Sequence, residues 1–412
     1  MKLKKLKLKN IGPFLNDELE FATFENSDSQ VTILTGENGS GKTIIIDAIR
    51  KILLGDNHLL NGVRSITRNN DFVLELSLGI NKENIELKAK DSNSVKESFH
   101  IYNGDHIFWD IRNALMSPNF SKGNLWIVNY WTSQNDQSQF NISSLDFIKP
   151  EEYLVNCLTG VQRNAETTKI ITFFDYYKSS DKEEEKKEGE VIFSLLKRIF
   201  KISLLNGEFL HVERTSLLPV IDQNGFKITL EKLSSGNLYL VQRLLSLLRQ
   251  MYSVYKLNDL SLEQLCNTPG VLLIDEAENH LHPKWQKLFL NSILDMFPNL
   301  QIIVSTHSPF IVGSVKGAKV FVCKAQDGKS IISDETSIYS NKPIDEILST
   351  DVFGETSPFP NTEIDNLLNT RKEAIEAQDK LAEDQIESEL LKINPQYFSY
   401  LEIDKIIKQT KK

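Results

Sequence analysis

Gly36-Glu37-Asn38-Gly39-Ser40-Gly41-Lys42-Thr43 is the stretch of this chain whose residue types and spacing can do chemistry. The pattern G-x-x-x-x-G-K-T lets backbone N–H groups wrap a polyphosphate, with glycines at the tight points. Lys42 supplies a point charge for the β- and γ-phosphates, and the Thr43 hydroxyl suits Mg²⁺. The candidate nucleotide contacts are therefore Gly36, Asn38, Gly39, Ser40, Gly41, Lys42 and Thr43. Two elements must position them. Val31 to Thr35 has strand character and feeds the loop. Ile45, Ala48, Ile49, Ile52 and Leu53 follow at the spacing of a helix packed on a sheet, whose N-terminus adds positive potential at the phosphates.

Three further polar groups stand where apolar strands end, the place where open α/β sheets hold ligands. Val271 to Ile274 is a continuous apolar run, as in a parallel strand buried on both faces. It ends in Asp275, placed to hold Mg²⁺, and Glu276, placed as the general base for an attacking water. Gln301 to Thr306 is a second such strand, ending in His307, a candidate sensor or stabiliser of the γ-phosphate. Leu233-Ser234-Ser235-Gly236-Asn237 opens another helix, with Leu240, Val241, Leu244, Leu245 and Leu248 on its apolar side. Taken alone, Ser-Ser-Gly is also an ordinary helix N-cap.

Composition is that of a globular chain: 40% apolar, 25% charged and 9% aromatic, long enough for two or three domains. A formal charge of −9 argues against a protein that coats nucleic acid, while leaving room for a local basic groove. Cys157, Cys266 and Cys323 are widely spaced, so neither a zinc site nor a disulfide framework is expected, and a reducing cytoplasm fits. The N-terminal MKLKKLKLKN lacks the apolar run of a secretory leader, and no stretch of about 18 apolar residues is present to span a membrane.

Taken in order, the chain reads as a lysine-leucine strand over residues 2 to 9, whose lysines either guard a sheet edge or contact nucleic acid. A hairpin follows over Phe72 to Lys88. From Asp91 to Glu190 the pattern is irregular, apart from a buried strand at Leu125 to Tyr130. The run Lys178 to Glu190 reads as a solvated loop or an exposed helix. Strands around a turn at Gln223-Asn224-Gly225 come next. Pro283 starts the helix after the acidic strand, and a hairpin about Asp327-Gly328 ends the α/β part. Beyond residue 340 the chain is charged and largely helical.

The ordered set of phosphate loop, LSSGN, VLLIDEAENHLHP and IIVSTHSP resembles an ABC-type ATPase of the RecF/SMC/OLD-like branch, over residues 1 to about 325. The resemblance implies an α/β fold: a P-loop NTPase of ABC-ATPase head type with a mixed sheet, an inserted subdomain and a small helical C-terminal tail. It divides the chain into residues 1–90 (N-terminal lobe with the phosphate loop), 91–190 (insertion), 191–340 (C-terminal lobe) and 341–412 (tail). It implies ATP and Mg²⁺ as cofactors and a homodimer or higher oligomer, in which Ser234 and Gly236 of one copy cap the γ-phosphate bound by the other. Asn279 to His282 would be the loop linking the two sites. Ser235 and Asn237 depart from the usual Leu-Ser-Gly-Gly-Gln/Glu. The family's Q-loop glutamine is left open among Gln134, Gln137 and Gln139.

The gap of about 190 residues between Lys42 and Ser234 carries no heptad run, so no long coiled-coil arm is expected. The chain is most similar in look to compact ATPases of anti-phage systems, of Septu and retron-associated type. The tail shows no Toprim-like acidic pattern, and all seven histidines lie at or before His307, which leaves no recognisable nuclease centre. The resemblance thus implies an ATPase that controls a partner nuclease or toxin, with DNA or RNA as a further candidate partner. Two alternatives are a RecF-like repair ATPase and an ATP-bound scaffold with very slow turnover.

Overall fold

In the computed structural model, which describes residues 1–54, 72–80, 83–90, 98–102, 105–132, 134, 138–142, 144, 149–160, 163–204, 206–340, 342–350, 352–353 and 362–401, all six residues of β3 (Val31–Gly36) are buried. β3 lies between β12 (Leu300–Ser305) and β13 (Lys319–Gln326) and runs parallel to both. β11 (Gly270–Ile274) joins β12, and β7 (Ile127–Trp131) joins β11, again in parallel. These are the near-continuous apolar strands, and burial on both faces is what such sequences require. The parallel array brings the ends of β3, β11 and β12 side by side, so residues far apart in sequence meet at one rim.

The rest of the sheet is largely antiparallel. β1 (Lys2–Ile11), β2 (Phe14–Glu20), β4 (Val73–Ile80), β5 (Glu83–Lys90) and β6 (Ser98–Tyr102) continue it, with β14 (Lys329–Asp334) between β2 and β13. The order is β6-β5-β4-β1-β2-β14-β13-β3-β12-β11-β7, a mixed sheet of eleven strands. Helix α1 (Lys42–Leu54) packs on β4 and β5 as well as on β3 and β12. Its Ile45, Ile46, Ala48, Ile49, Ile52 and Leu53 are fully buried in one core with Leu6 and Leu8 of β1 and Leu273 of β11. Each large side chain so buried contributes about 2 kcal/mol, which fixes the start of α1 against β3.

The lysine-leucine stretch does form a strand, but not an edge strand: β1 pairs with β2 on one side and β4 on the other. Leu3 and Leu6 share the core face although three residues apart, because the register shifts between Leu3 and Lys5. Lys5 pairs with Glu18 at 2.9 Å and Lys7 with Glu75 at 3.8 Å. Lys5 and Lys7 therefore serve cross-strand pairs on an interior strand, which replaces the edge-protection reading.

A second group of elements carries the signature sequence. α2 (Asp105–Met116) precedes β7; α3 (Asn164–Tyr177) and α4 (Glu183–Ser203) pack with α5 (Ser235–Leu257). A three-stranded sheet of β8 (Gly207–Val212), β9 (Pro219–Gln223) and β10 (Phe226–Thr229) adjoins α3 and α4. α5 is buried along its whole middle, from Tyr239 to Val254. From Glu183 on, the charge run over Lys178 to Glu190 becomes the first turns of α4, and one of its charged members is no surface residue. Glu188 is buried and accepts from Tyr252 Oη and Lys256 Nζ, both at 2.6 Å.

Residues Leu348–Lys412 form a separate unit. In it α7 (Thr362–Glu376) and α8 (Lys380–Ile393) pack together, with Leu390, Phe398 and Leu401 fully buried. Among the described residues no helix is long and apolar enough to cross a membrane.

Candidate functional site

The loop between β3 and α1 is shaped by its glycines. Gly36 has φ 137°, and a Cβ there would stand 2.1 Å from the carbonyl oxygen of Cys323 on β13. Gly41, at φ 99°, leaves only enough room for Phe14 and Pro13, whose atoms would lie 2.7 and 2.9 Å from a Cβ. These positions demand glycine on both conformational and steric grounds. Asn38 and Gly39 are exposed at the crest, and Ser40 is buried beneath it. Lys42 folds back under the loop and donates from Nζ to Gly36 O at 3.1 Å and Glu37 O at 2.7 Å. Burial lowers the Lys42 ammonium from its ordinary value, opposed by Cys323, Glu278, Asp275 and Glu276 nearby.

At the rim beside the loop, Asp275 leaves the end of β11. Its Oδ1 accepts from Thr43 Oγ1 at 3.1 Å and from Ser305 Oγ, at the end of β12, at 2.6 Å. The start of α1 and the ends of β11 and β12 thus meet at one carboxylate oxygen. Asp275 is buried, and that burial raises its carboxyl from the usual aspartate value, against the two hydroxyl donors. A hydroxyl and a carboxylate held this close are hard oxygen donors of the kind Mg²⁺ takes, so the pair fits that ion. Glu276 follows in the left-handed region, φ 52°, with its N–H donating to Ser305 Oγ at 2.9 Å. Its Oε2 accepts from Asn279 Nδ2 at 2.6 Å.

His307 sits in the turn after β12. Burial and the Lys42 charge lower its imidazole from the ordinary value, with Glu278, Glu276 and the Gly36 backbone acting the other way. The loop, Asp275, Glu276 and His307 therefore share one electrostatic neighbourhood. Glu278 belongs to it and was not singled out from the sequence. Its carboxylate accepts from Thr306 Oγ1 at 2.6 Å and from the His307 N–H at 2.8 Å. The available signal was the third acid in Asp275-Glu276-Ala277-Glu278, two residues beyond the proposed base.

Ser234 and Gly236 are held elsewhere in the same lobe. Ser234 is exposed and caps α5, its side chain accepting from Asn237 N at 3.3 Å. Gly236 lies against the loop Asn279–His282: a Cβ on it would stand 2.2 Å from His280 O. His280 itself is in the left-handed region, φ 65°. His282 is the N-cap of α6 (Pro283–Met296), with Nδ1 accepting from Lys284 N at 3.2 Å. The His280–His282 spacing thus serves the backbone; among the described residues no group of three His, Cys, Asp or Glu is arranged for a metal.

Arg243, two turns into α5, holds a junction of the fold and was not singled out from the sequence. It is 2% exposed and donates to Gly160 O, Thr132 O and Gln134 O at 3.0, 2.8 and 3.1 Å. The guanidinium thereby binds the segment after β7 to the signature helix, and it lies 5.1 Å from the Tyr239 ring centroid. Of the three candidate glutamines, Gln134 takes part in this junction through its backbone, Gln139 is described and exposed, and Gln137 lies outside the described residues.

A mixed α/β sheet with a phosphate loop at its centre and an acidic strand end beside it is the make-up of a P-loop ATPase, and with the separately held helix α5 it resembles an ABC-type head. Comparison with known proteins agrees. A family profile described as "P-loop containing region of AAA domain" matches residues 3–62, and one described as "AAA domain, putative AbiEii toxin, Type IV TA system" matches residues 152–313. The chain is similar to the Retron Vc95 probable ATPase of Vibrio cholerae serotype O1 biovar El Tor, 25% identical over 88% of this chain and 82% of that one. It is also similar to the Retron Ec83 probable ATPase of Escherichia coli, at 23% over 79% and 72%. The Septu protein PtuA of Bacillus thuringiensis is 26% identical over 75% of this chain and 72% of that one.

Proposed function

We propose that two copies of this chain close head to tail on ATP, hydrolyse it with Mg²⁺, and so control an effector nuclease or toxin that defends a bacterial cytoplasm against phage. The observation that carries the reading is the 3.1 Å meeting of Thr43 and Asp275, two oxygen donors 232 residues apart in sequence, beside the loop. In this reading the N–H groups from Gly36 to Thr43, including those of Asn38, Gly39, Ser40 and Gly41, wrap the phosphates. Lys42 exchanges the carbonyls of Gly36 and Glu37 for β- and γ-phosphate oxygens. Thr43 and Asp275 hold Mg²⁺, which when bound draws charge from the phosphates. Glu276 takes the proton of the water that attacks the γ-phosphorus as the bond to ADP breaks. His307 donates to the γ-phosphate and reports its presence.

Ser234 and Gly236 act on the ATP held by the other copy. The exposure of Ser234 at the start of α5 supports that assignment, since a capping group must be free to meet a second molecule. The link to phage defence rests on the similarity to retron ATPases and Septu proteins; an effector is the partner this implies, and DNA or RNA would be the ligand it responds to.

The reading is tested by Glu276→Gln examined with ATP and Mg²⁺. Turnover should fall at least about a hundredfold while an ATP-bound dimer accumulates in light scattering. A variant that hydrolyses ATP at the wild-type rate would exclude Glu276 as the base. Co-purification of the chain with the products of neighbouring genes, followed by phage challenge with Lys42→Ala, tests the effector half: protection that survives that change would remove ATP from the mechanism.

A further inference from the structure

We propose that Glu278 is a positioning residue for ATP hydrolysis: it fixes the turn that carries His307 and locks that turn to the loop Asn279–His282. This rests on the ATPase reading and assigns a role within the same site.

The argument begins with the carboxylate. Both its oxygens are taken by donors of the turn after β12, Thr306 Oγ1 at 2.6 Å and the His307 N–H at 2.8 Å. Those bonds turn both oxygens of Glu278 to the turn after β12, whereas Glu276 gives its Oε2 to Asn279. Thr306 has further obligations, because its Oγ1 also accepts from Ser308 N at 3.0 Å. Ser308 Oγ donates to Gln286 Oε1 at 2.6 Å, and accepts from Phe310 N at 3.2 Å. Gln286, on α6, turns its Nε2 back to Leu281 O at 2.8 Å and Glu278 O at 3.4 Å.

The bonds therefore close a ring: Glu278, Thr306, Ser308, Gln286, Leu281, and Glu278 again through Leu281 N to Glu278 O at 3.0 Å. Every hydroxyl in it donates once and accepts once, so donor directions are set all the way round. The ring has two outlets. One is His307, beside Lys42 and Gly36. The other is the 279–282 loop, whose His280 O touches Gly236. A shift of the signature helix against that loop is thus delivered to the histidine turn as a single rigid displacement.

An amide cannot replace the carboxylate. In Glu278→Gln an NH2 donor stands where one acceptor oxygen was, so it faces either the Thr306 hydroxyl, whose donor direction must reverse, or the His307 N–H, which loses its acceptor. The test uses the full chain with Glu278→Gln and, on the far side of the ring, Gln286→Ala. Nucleotide affinity, read with a fluorescent ATP analogue, and KM should stay within about twofold of wild type. The kcat of each should fall about tenfold, and the double variant should fall no further than the worse single. A wild-type kcat in folded Glu278→Gln, a parallel loss of ATP affinity, or additive losses in the double variant would each overturn the proposal. If Glu278→Gln does not fold, Gln286→Ala decides alone on the same split of kcat and KM. Failure of the parent reading looks different: wild-type protein without turnover removes both, whereas an active Glu276→Gln with a slowed Glu278→Gln removes the base and keeps the ring.

Discussion

Gly236 and His280 meet so closely that any Cβ on the glycine would stand 2.2 Å from the histidine carbonyl oxygen. The first turn of α5 and the loop after the acidic strand are therefore in contact through backbone, with no side chain able to yield. Gly236→Ala forces the two apart. The expected result is a folded protein that binds nucleotide within about threefold of wild type and turns it over at least about tenfold more slowly, because the exposed start of α5 is displaced. Equilibrium nucleotide binding and steady-state turnover, measured side by side, check it.

Asp275 couples stability to chemistry with opposite signs. Its carboxyl is raised by burial, so its charged form is held in the fold at a cost near neutral pH. A raised carboxyl makes the folded state bind a proton more readily than the unfolded chain, so this contribution becomes less unfavourable as pH falls through the raised value. Asp275→Asn removes the charge and should raise the unfolding midpoint of nucleotide-free protein at pH 7. The same change should lower Mg²⁺-dependent turnover at least about a hundredfold. Thermal unfolding and a Mg²⁺ titration of activity are the measurements.

Arg243→Ala should destabilise by about 3 kcal/mol. The change leaves the carbonyls of Gly160, Thr132 and Gln134 without their shared donor in a buried site and removes packing against Tyr239. Denaturant unfolding reads the stability. Limited proteolysis should show new cleavage just after β7, where the released segment begins.

Two thiols should be inert in the folded chain. Burial pushes Cys157 up to about 11 and Cys323 up to about 12, so almost no thiolate exists at pH 8. Iodoacetamide at pH 8 should label both only after denaturation, as read by mass spectrometry. Rapid native labelling of Cys323 would mean that β13 separates from Gly36.

The placing of the candidate rim residues side by side was largely legible because they are constrained by type. Gly36 and Gly41 are demanded by backbone geometry, and Asp275 and His307 follow apolar runs whose burial on both faces is unmistakable. What escaped were residues whose role depends on a partner in space. Arg243 lies off the apolar stripe of Leu240, Val241, Leu244, Leu245 and Leu248, where a charge reads as solvated, and only the fold brings the segment after β7 against it. Glu278 looked like a neighbour of the base until Thr306 and His307 were seen to claim both its oxygens. The lysines of β1 misled for a related reason: alternation fixes a strand's two faces but not its neighbours, and β4 supplies the second pairing partner from some 65 residues away. Within the 91–190 insertion, expected to be partly helical, the bounds of α3 were not legible: Thr167, Thr168, Thr172, Phe173 and Phe174 favour strands, while burial against α4 and α5 makes a helix of them.

α5 is 23 residues long, about 35 Å, and it is enclosed along its middle rather than laid on a surface. Such a helix cannot slide without breaking its polar anchors to Asn129, Thr132 and Gly160. It can only tilt with everything around it. A tilt of about 5° at the far end would carry its first turn through about 3 Å, the length of one hydrogen bond. The helix is in that sense a pointer, long enough that an angular change too small to disturb the core re-aims the exposed Ser234.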